Sequence, residues 1–163
     1  MATITSTTTG GAFSSGASWV GGIAPGSTDS VIVAAPSGTI TMDAHFTTTG
    51  TVTLTSGAFS TSASNYNLTC SSFSSSNSNT RTLTLGSSTI TLTGAGATVW
   101  DTSTATNLTL NAGDTVTVDV NFNDIVNVTG SAGNWPQLDL VIGSTTVKAD
   151  YLSGSGTSTL KFK

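Results

Sequence analysis

The chain has 163 residues, a formal net charge of −4 and 7% charged residues, with four basic residues and eight aspartates but no glutamate. So small a basic complement excludes the electrostatic footprint of a nucleic-acid-binding protein. The single cysteine excludes an intrachain disulfide framework, and no apolar run reaches the ~18 residues of a transmembrane helix, so membrane insertion is not expected.

Hydrophobic residues make up 36% of the chain, enough for a thin core. Disordered chains combine low hydrophobicity with high net charge and abundant Pro, Glu and Lys. Here the remainder is Thr, Ser, Gly and Asn, interleaved with Val, Leu and Ile. Threonine favours strands through its branched Cβ, and no window carries apolar residues at i, i+3, i+4 and i+7. The expectation is an all-β protein of one domain with a small appendage.

The first notable stretch is 15-SGASWVGGIAPGSTDSVIV-33. Gly21 and Gly22 suit a tight turn with positive φ, and Pro25-Gly26 marks a second turn. Asp29 can accept bonds from nearby backbone at the entry to an apolar strand over 31–33. Trp19 is the largest available plug for the end of a stack of strands. Residues 1–35 are therefore expected to form an N-terminal cap and first coil.

Four segments then open on x-(V/L)-T-(L/C): 51-TVTLTSGAFS-60, 67-NLTCSSFSSS-76, 82-TLTLGSSTITLTG-94 and 107-NLTLNAGDTVTVDV-120. Each passes through a small-residue turn and returns to an apolar residue: Phe59, Phe73, Ile90 and Val116. Period-2 alternation places Val52, Leu54, Leu68, Cys70, Leu83, Leu85, Ile90, Leu92, Leu108, Leu110, Val116, Val118 and Val120 on one face, and the threonines on the other. Short strands, small turns and an irregular repeat favour a short parallel β-helix, or β-solenoid. A β-sandwich or jelly roll is the alternative. The polar linker 74-SSSNSNTR-81 reads as an exposed loop carrying Arg81.

Residues 1–130 are thus read as a solenoid-like domain. Residues 131–163 change character: they hold Trp135, Pro136, Tyr151 and all three lysines, with strands expected at 137–142, 145–149 and 157–162. This segment reads as a C-terminal cap or an element for docking and oligomerisation, with Trp135, Pro136, Lys148 and Tyr151 as interface candidates.

The pattern Trp19-Val20-Gly21-Gly22, Pro25-Gly26 and Asp29-Ser30-Val31-Ile32-Val33 resembles the opening of β-helical proteins of phage virions and bacterial surfaces. Residues 67–94 resemble their coil sequence. The resemblance covers residues 3–120 and implies a parallel β-helix with a structural or adhesive role on a particle surface. It carries over no catalytic residue, because the clustered acidic residues of the enzymes in that group are missing.

No catalytic constellation stands out. Asp114, Asp119 and Asp124 are the only loosely grouped carboxylates, and glycoside hydrolysis needs a facing pair. Asp119, Asn121 and Asn123 share a strand face, with Asp124 opposite, as oxygen ligands for calcium could, but the spacing fits no calcium loop. Cys70 reads as a buried hydrophobe and not as a nucleophile paired with His45. Three sequons, at Asn67, Asn107 and Asn127, are expected by chance in such a composition. Trp19, Trp100, Trp135, Tyr66 and Tyr151 read as core or interface residues, with a sugar-stacking platform as the alternative.

No metal, cofactor or enzymatic activity is expected. The N-terminus lacks a basic segment followed by an apolar one, so no export signal is read there. The leading expectation is a non-enzymatic structural protein on a phage-like virion surface: a capsid decoration or cement protein, or a short head or tail fibre. It would be a homo-oligomer, with a trimer favoured, docked on a capsid or tail protein of the same particle. The second expectation is a carbohydrate-binding or adhesin module at a bacterial cell surface.

Overall fold

A computed structural model describes residues 1–61, 64–96, 98–111, 118–131, 133–142 and 145–163, with the side chains of 118, 119, 140–142 and 145 left aside. The described residues are all-β apart from one 3-10 turn at Gly16–Ser18. In chain order the strands are β1 (Thr3–Thr5), β2 (Gly10–Ala12), β3 (Ser30–Thr41), β4 (Phe46–Thr47), β5 (Thr51–Ser60), β6 (Leu68–Cys70), β7 (Ser72–Ser74) and β8 (Arg81–Thr84). They continue with β9 (Ile90–Leu92), β10 (Trp100–Asp101), β11 (Leu108–Leu110), β12 (Val118–Val126), β13 (Gln137–Ile142), β14 (Thr145–Ser153) and β15 (Thr157–Phe162).

Up to β11 every strand pairing is parallel, and the pairings run in three ladders. In the first, β1, β3, β5, β7 and β10 lie side by side, so that Ile4, Val31, Val52, Phe73 and Trp100 fall in one column. In the second, the far halves of β3 and β5 join β2, β8 and β11, aligning Ile40, Phe59, Leu83 and Leu110. The third aligns Phe46, Leu68 and Ile90 through β4, β6 and β9. The fully buried members are aliphatic or aromatic and form one core. Like faces superimpose at most steps, so apolar side chains meet apolar ones inside, and outside threonine often stands over threonine or serine, as along Thr47-Thr69-Thr91. Thr51 and Ser72, 21 residues apart, share a hydroxyl bond of 2.9 Å.

Glycine is required where the long strands bend. Gly57 has φ +76, and a Cβ there would collide with the Ala35 carbonyl. The register of β3 against β5 slips at this point, between Ala35 and Thr39, where the bulged segment 36–38 leaves the ladder.

The repeat read from sequence is a strand repeat, and the ladders cut across it. Its first three segments enter three different ladders: Val52 the first, Leu68 the third and Leu83 the second. Among the described residues the opening motifs stack directly only in the third and fourth segments, Leu83 with Leu110, while the first three segments meet through other positions, Val52 with Phe73, Phe59 with Leu83 and Leu68 with Ile90. The inward assignment of Val52, Leu54, Leu68, Cys70, Leu83, Leu85, Ile90 and Leu92 holds, all of them buried. Val116 and the side chain of Val118 fall outside the described residues.

Arg81 corrects the sequence reading. It is fully buried and opens β8. Its Nε donates to the Asn79 carbonyl at 2.8 Å, Nη1 to the carbonyl and hydroxyl of Ser75, and Nη2 to the carbonyls of Asn77 and of Thr106, the last at 2.6 Å. The polar linker has no apolar side chains to fill its own interior, so a guanidinium does so by collecting backbone carbonyls that would otherwise be unpaired. Burial pulls its pKa below the ordinary guanidinium value.

The N-terminal segment packs over the first rungs. Trp19, 2% exposed, meets Phe13 edge-on at 5.1 Å and donates its indole N–H to the Phe13 carbonyl at 2.8 Å. Phe13 in turn lies against Phe46. Gly21 and Gly22 have φ of +89 and +75, and Asp29 accepts the amides of Ala2 and Gly26.

The C-terminal strands form a separate antiparallel sheet in the order β12-β15-β14-β13. Among the described side chains the core of this sheet is Ala149, Leu160 and Phe162, with Val120, Val126, Val128, Leu138 and Tyr151 at its margin. β12, placed with the N-terminal region by sequence, pairs with β15 in this sheet and also runs beside β9.

Candidate functional site

The residues singled out from sequence fall into inert and accessible groups. Cys70 is fully buried, and burial pushes its thiol up to about 12. His45 is exposed, accepts the Asn67 amide on Nδ1 at 2.8 Å and stands edge-on to Tyr66. The thiol stays protonated at neutral pH, and the imidazole that could activate it is engaged elsewhere. Trp100 stacks on Phe73 at 4.7 Å as the last rung of its column.

The aspartates are tied to local partners. Asp43 accepts the hydroxyl and amide of Ser14, and Asp101 the amide and hydroxyl of Ser103. These bonds favour the ionised form and hold Asp29, Asp43 and Asp101 below their usual 3.8. Asn121 accepts the Thr159 hydroxyl at 2.6 Å, and Asp124 the amide of Ile125. Asp114 and the side chain of Asp119 lie outside the described residues. Among the described residues no three His, Cys, Asp or Glu side chains gather at one point.

Three of the four interface candidates come together at the start of β13. Pro136 accepts the Tyr151 amide on its carbonyl at 3.2 Å, and the rings of Trp135 and Tyr151 are 5.7 Å apart at 39°. Tyr151 is held from behind by Phe162, edge-on at 6.1 Å, and its hydroxyl accepts the Ser155 amide at 2.8 Å. A Cβ at Gly130 would sit 3.0 Å from the Trp135 ring, so glycine lets the indole settle on the backbone. Trp135 nevertheless remains 43% exposed. Lys148 stands apart in an exposed ion pair with Asp139 at 2.6 Å.

Trp135 borders a cavity of about 380 Å³ lined also by Gly133, Asn134, Gln137 and Asp150. Gln137 and Asp150 face each other across the β13–β14 ladder, and Gln137 Nε2 donates to Asp150 Oδ1 at 2.7 Å. Sequence reading did not connect these polar residues with Trp135, because only the antiparallel register brings positions 137 and 150 together. A larger groove, of about 770 Å³, runs over the parallel region past Pro36, Gly57, Asn79 and Thr82; its described lining has neither an aromatic nor a charged side chain. The cavity at Trp135 is therefore the richer in chemistry: an open aromatic face beside two carboxamides and a carboxylate.

No protein-family model, curated protein or solved structure matches the chain.

Proposed function

We propose that residues 3–110 wind as a short parallel β-helix, and that the protein is a non-enzymatic structural component of a phage-like virion surface, either a capsid decoration or cement protein or a short head or tail fibre. The observation that carries this reading is the vertical continuity of the three ladders. Apolar columns such as Ile4-Val31-Val52-Phe73-Trp100 run in register through successive strands, while threonines and serines occupy the outer faces. Such a stack is stiff and nearly uncharged, which suits a passive spacer more than a catalyst.

Stacked strands leave open edges, which natural β proteins must cover. With few charges to guard them, closed self-association is the natural cover, and a trimer is the proposed number. The C-terminal antiparallel sheet is the proposed docking element, against a capsid or tail protein of the same particle.

Immunogold labelling of particles released by the producing host, combined with the mass of the purified protein by light scattering, tests this reading. Label on virion surfaces and a trimeric mass are expected. Label confined to the bacterial envelope would overturn the virion assignment in favour of a cell-surface adhesin, and a monomer at micromolar concentration would overturn the self-association.

A further inference from the structure

We propose that the cavity beside Trp135 is a binding site for a neutral carbohydrate of one or two rings. The inference stands apart from the virion reading, since a glycan-binding surface serves a particle or a cell envelope equally.

Four observations point the same way. First, the exposed aromatic face is prearranged. Tyr151 backs Trp135 and is itself fixed by Phe162 and by the Ser155 amide. An indole held in this way does not lose its open face by collapse, so little ordering remains for a ligand to supply. Second, the polar groups beside it have unused capacity. Gln137 Nε2 and Asp150 Oδ1 bond each other, which orients both groups. Among the described residues the other carboxylate oxygen of Asp150, the carbonyl oxygen of the Gln137 side chain and the Asn134 carboxamide make no hydrogen bond.

Third, this is a mixed donor and acceptor set beside an apolar plane. A sugar ring presents the same pairing: C–H groups on one face, and hydroxyls at the rim that both donate and accept. Carboxamides and carboxylates match such hydroxyls, while the aromatic body takes the apolar face. Fourth, charge and size select within that class. Among the described residues no Lys or Arg lines the cavity, and Lys148 is engaged by Asp139. An anionic sugar would meet the Asp150 carboxylate in a cavity whose described lining holds no cation, Lys163 being bonded to Asp150 through the backbone from outside that lining. A volume of about 380 Å³ lies at the small end of the ~300–1,000 Å³ typical of ligand pockets.

The test is binding of the whole protein to an array of neutral gluco-, galacto-, manno- and N-acetylhexosamine oligosaccharides, with sialylated and sulfated glycans as the anionic arm. Titration calorimetry follows on the best neutral hit. Saturable binding to a neutral glycan is expected, weakened at least tenfold in both Trp135→Ala and Asp150→Asn. Exposed Ile125→Ser, outside the cavity, should leave it unchanged. Asp150→Asn alters no ring packing and keeps the test informative if Trp135→Ala fails to fold. Absence of binding to every neutral glycan, preference for the anionic arm, or binding indifferent to both cavity variants would overturn the proposal. So would a fall in oligomer mass in Trp135→Ala, which would make this face a subunit contact.

Discussion

The parallel region up to β11 and the antiparallel sheet from β12 onward draw on similar residues but bury them in different ways. In the parallel region each inward side chain sits above and below a counterpart from the neighbouring strand, and most of its core residues are fully buried. Among the described side chains the antiparallel sheet has three buried core residues, 4–6% exposed, and leaves Phe122, Ile125, Val147 and Leu152 in the open. Stacked strands supply apolar neighbours above and below as well as across the interior. A single four-stranded sheet has only one face to cover and little chain with which to cover it. The difference separates stability from accessibility. The region that buries best presents hydroxyls, and the region that buries least presents the aromatic ring and cavity.

If the two cores are as separate as their packing, unfolding departs from a single two-state step, and mutations should act on one step only. The largest effect is expected from Trp19→Ala, about 3–5 kcal/mol, because a large aromatic leaves a cavity and a lost indole bond. Leu160→Ala, at about 2–4 kcal/mol, should move only the transition of the C-terminal sheet. Calorimetry of the two variants checks both statements, and an identical shift of one shared transition would show that the cores are coupled.

Arg81→Leu sharpens the comparison within the parallel region. Leucine fills space but leaves the carbonyls of Ser75, Asn77, Asn79 and Thr106 without their donor, and an orphaned buried acceptor costs about 1–3 kcal/mol. A net loss of about 3 kcal/mol is expected where water reaches some of them, read as a lower urea midpoint. A neutral result would mean that the guanidinium is dispensable to the linker.

The smallest effect is the pH dependence. Asp29, Asp43 and Asp101 are held below their ordinary 3.8 by amide and hydroxyl donors, and all three belong to the parallel region. Their contribution is complete above that value and is lost as pH falls beneath it. The parallel region's melting temperature should be flat above about pH 5 and decline below pH 4. Asp29→Asn should flatten that acid slope, and an unchanged slope would remove Asp29 from the account.

Several features follow from the chain's own pattern. The all-β class comes from threonine alternating with Val, Leu and Ile. The common face of Leu68 with Cys70 and of Ile90 with Leu92 comes from period-2 parity, which holds wherever a strand runs without a bulge. The turn at Gly21-Gly22 and the bond from the Gly26 amide to Asp29 at the entry to β3 are local as well, set within a few residues, whereas the Ala2 amide reaches Asp29 from 27 residues away. The strands at 137–142 and 157–162 were legible for the same reason.

What lay beyond the sequence is which strand stacks on which. Val31, Val52 and Phe73 form a column although their local sequences differ, and the look-alike openings at Val52, Leu68 and Leu83 enter separate ladders. The burial of Arg81 and the meeting of Gln137 with Asp150 beneath Trp135 depend on that same long-range pairing. Alternation decides the side to which a residue points, because neighbouring residues along a strand must face opposite ways. Only the tertiary arrangement decides what it meets there, because a residue's partners come from strands whose distance along the chain no local pattern records.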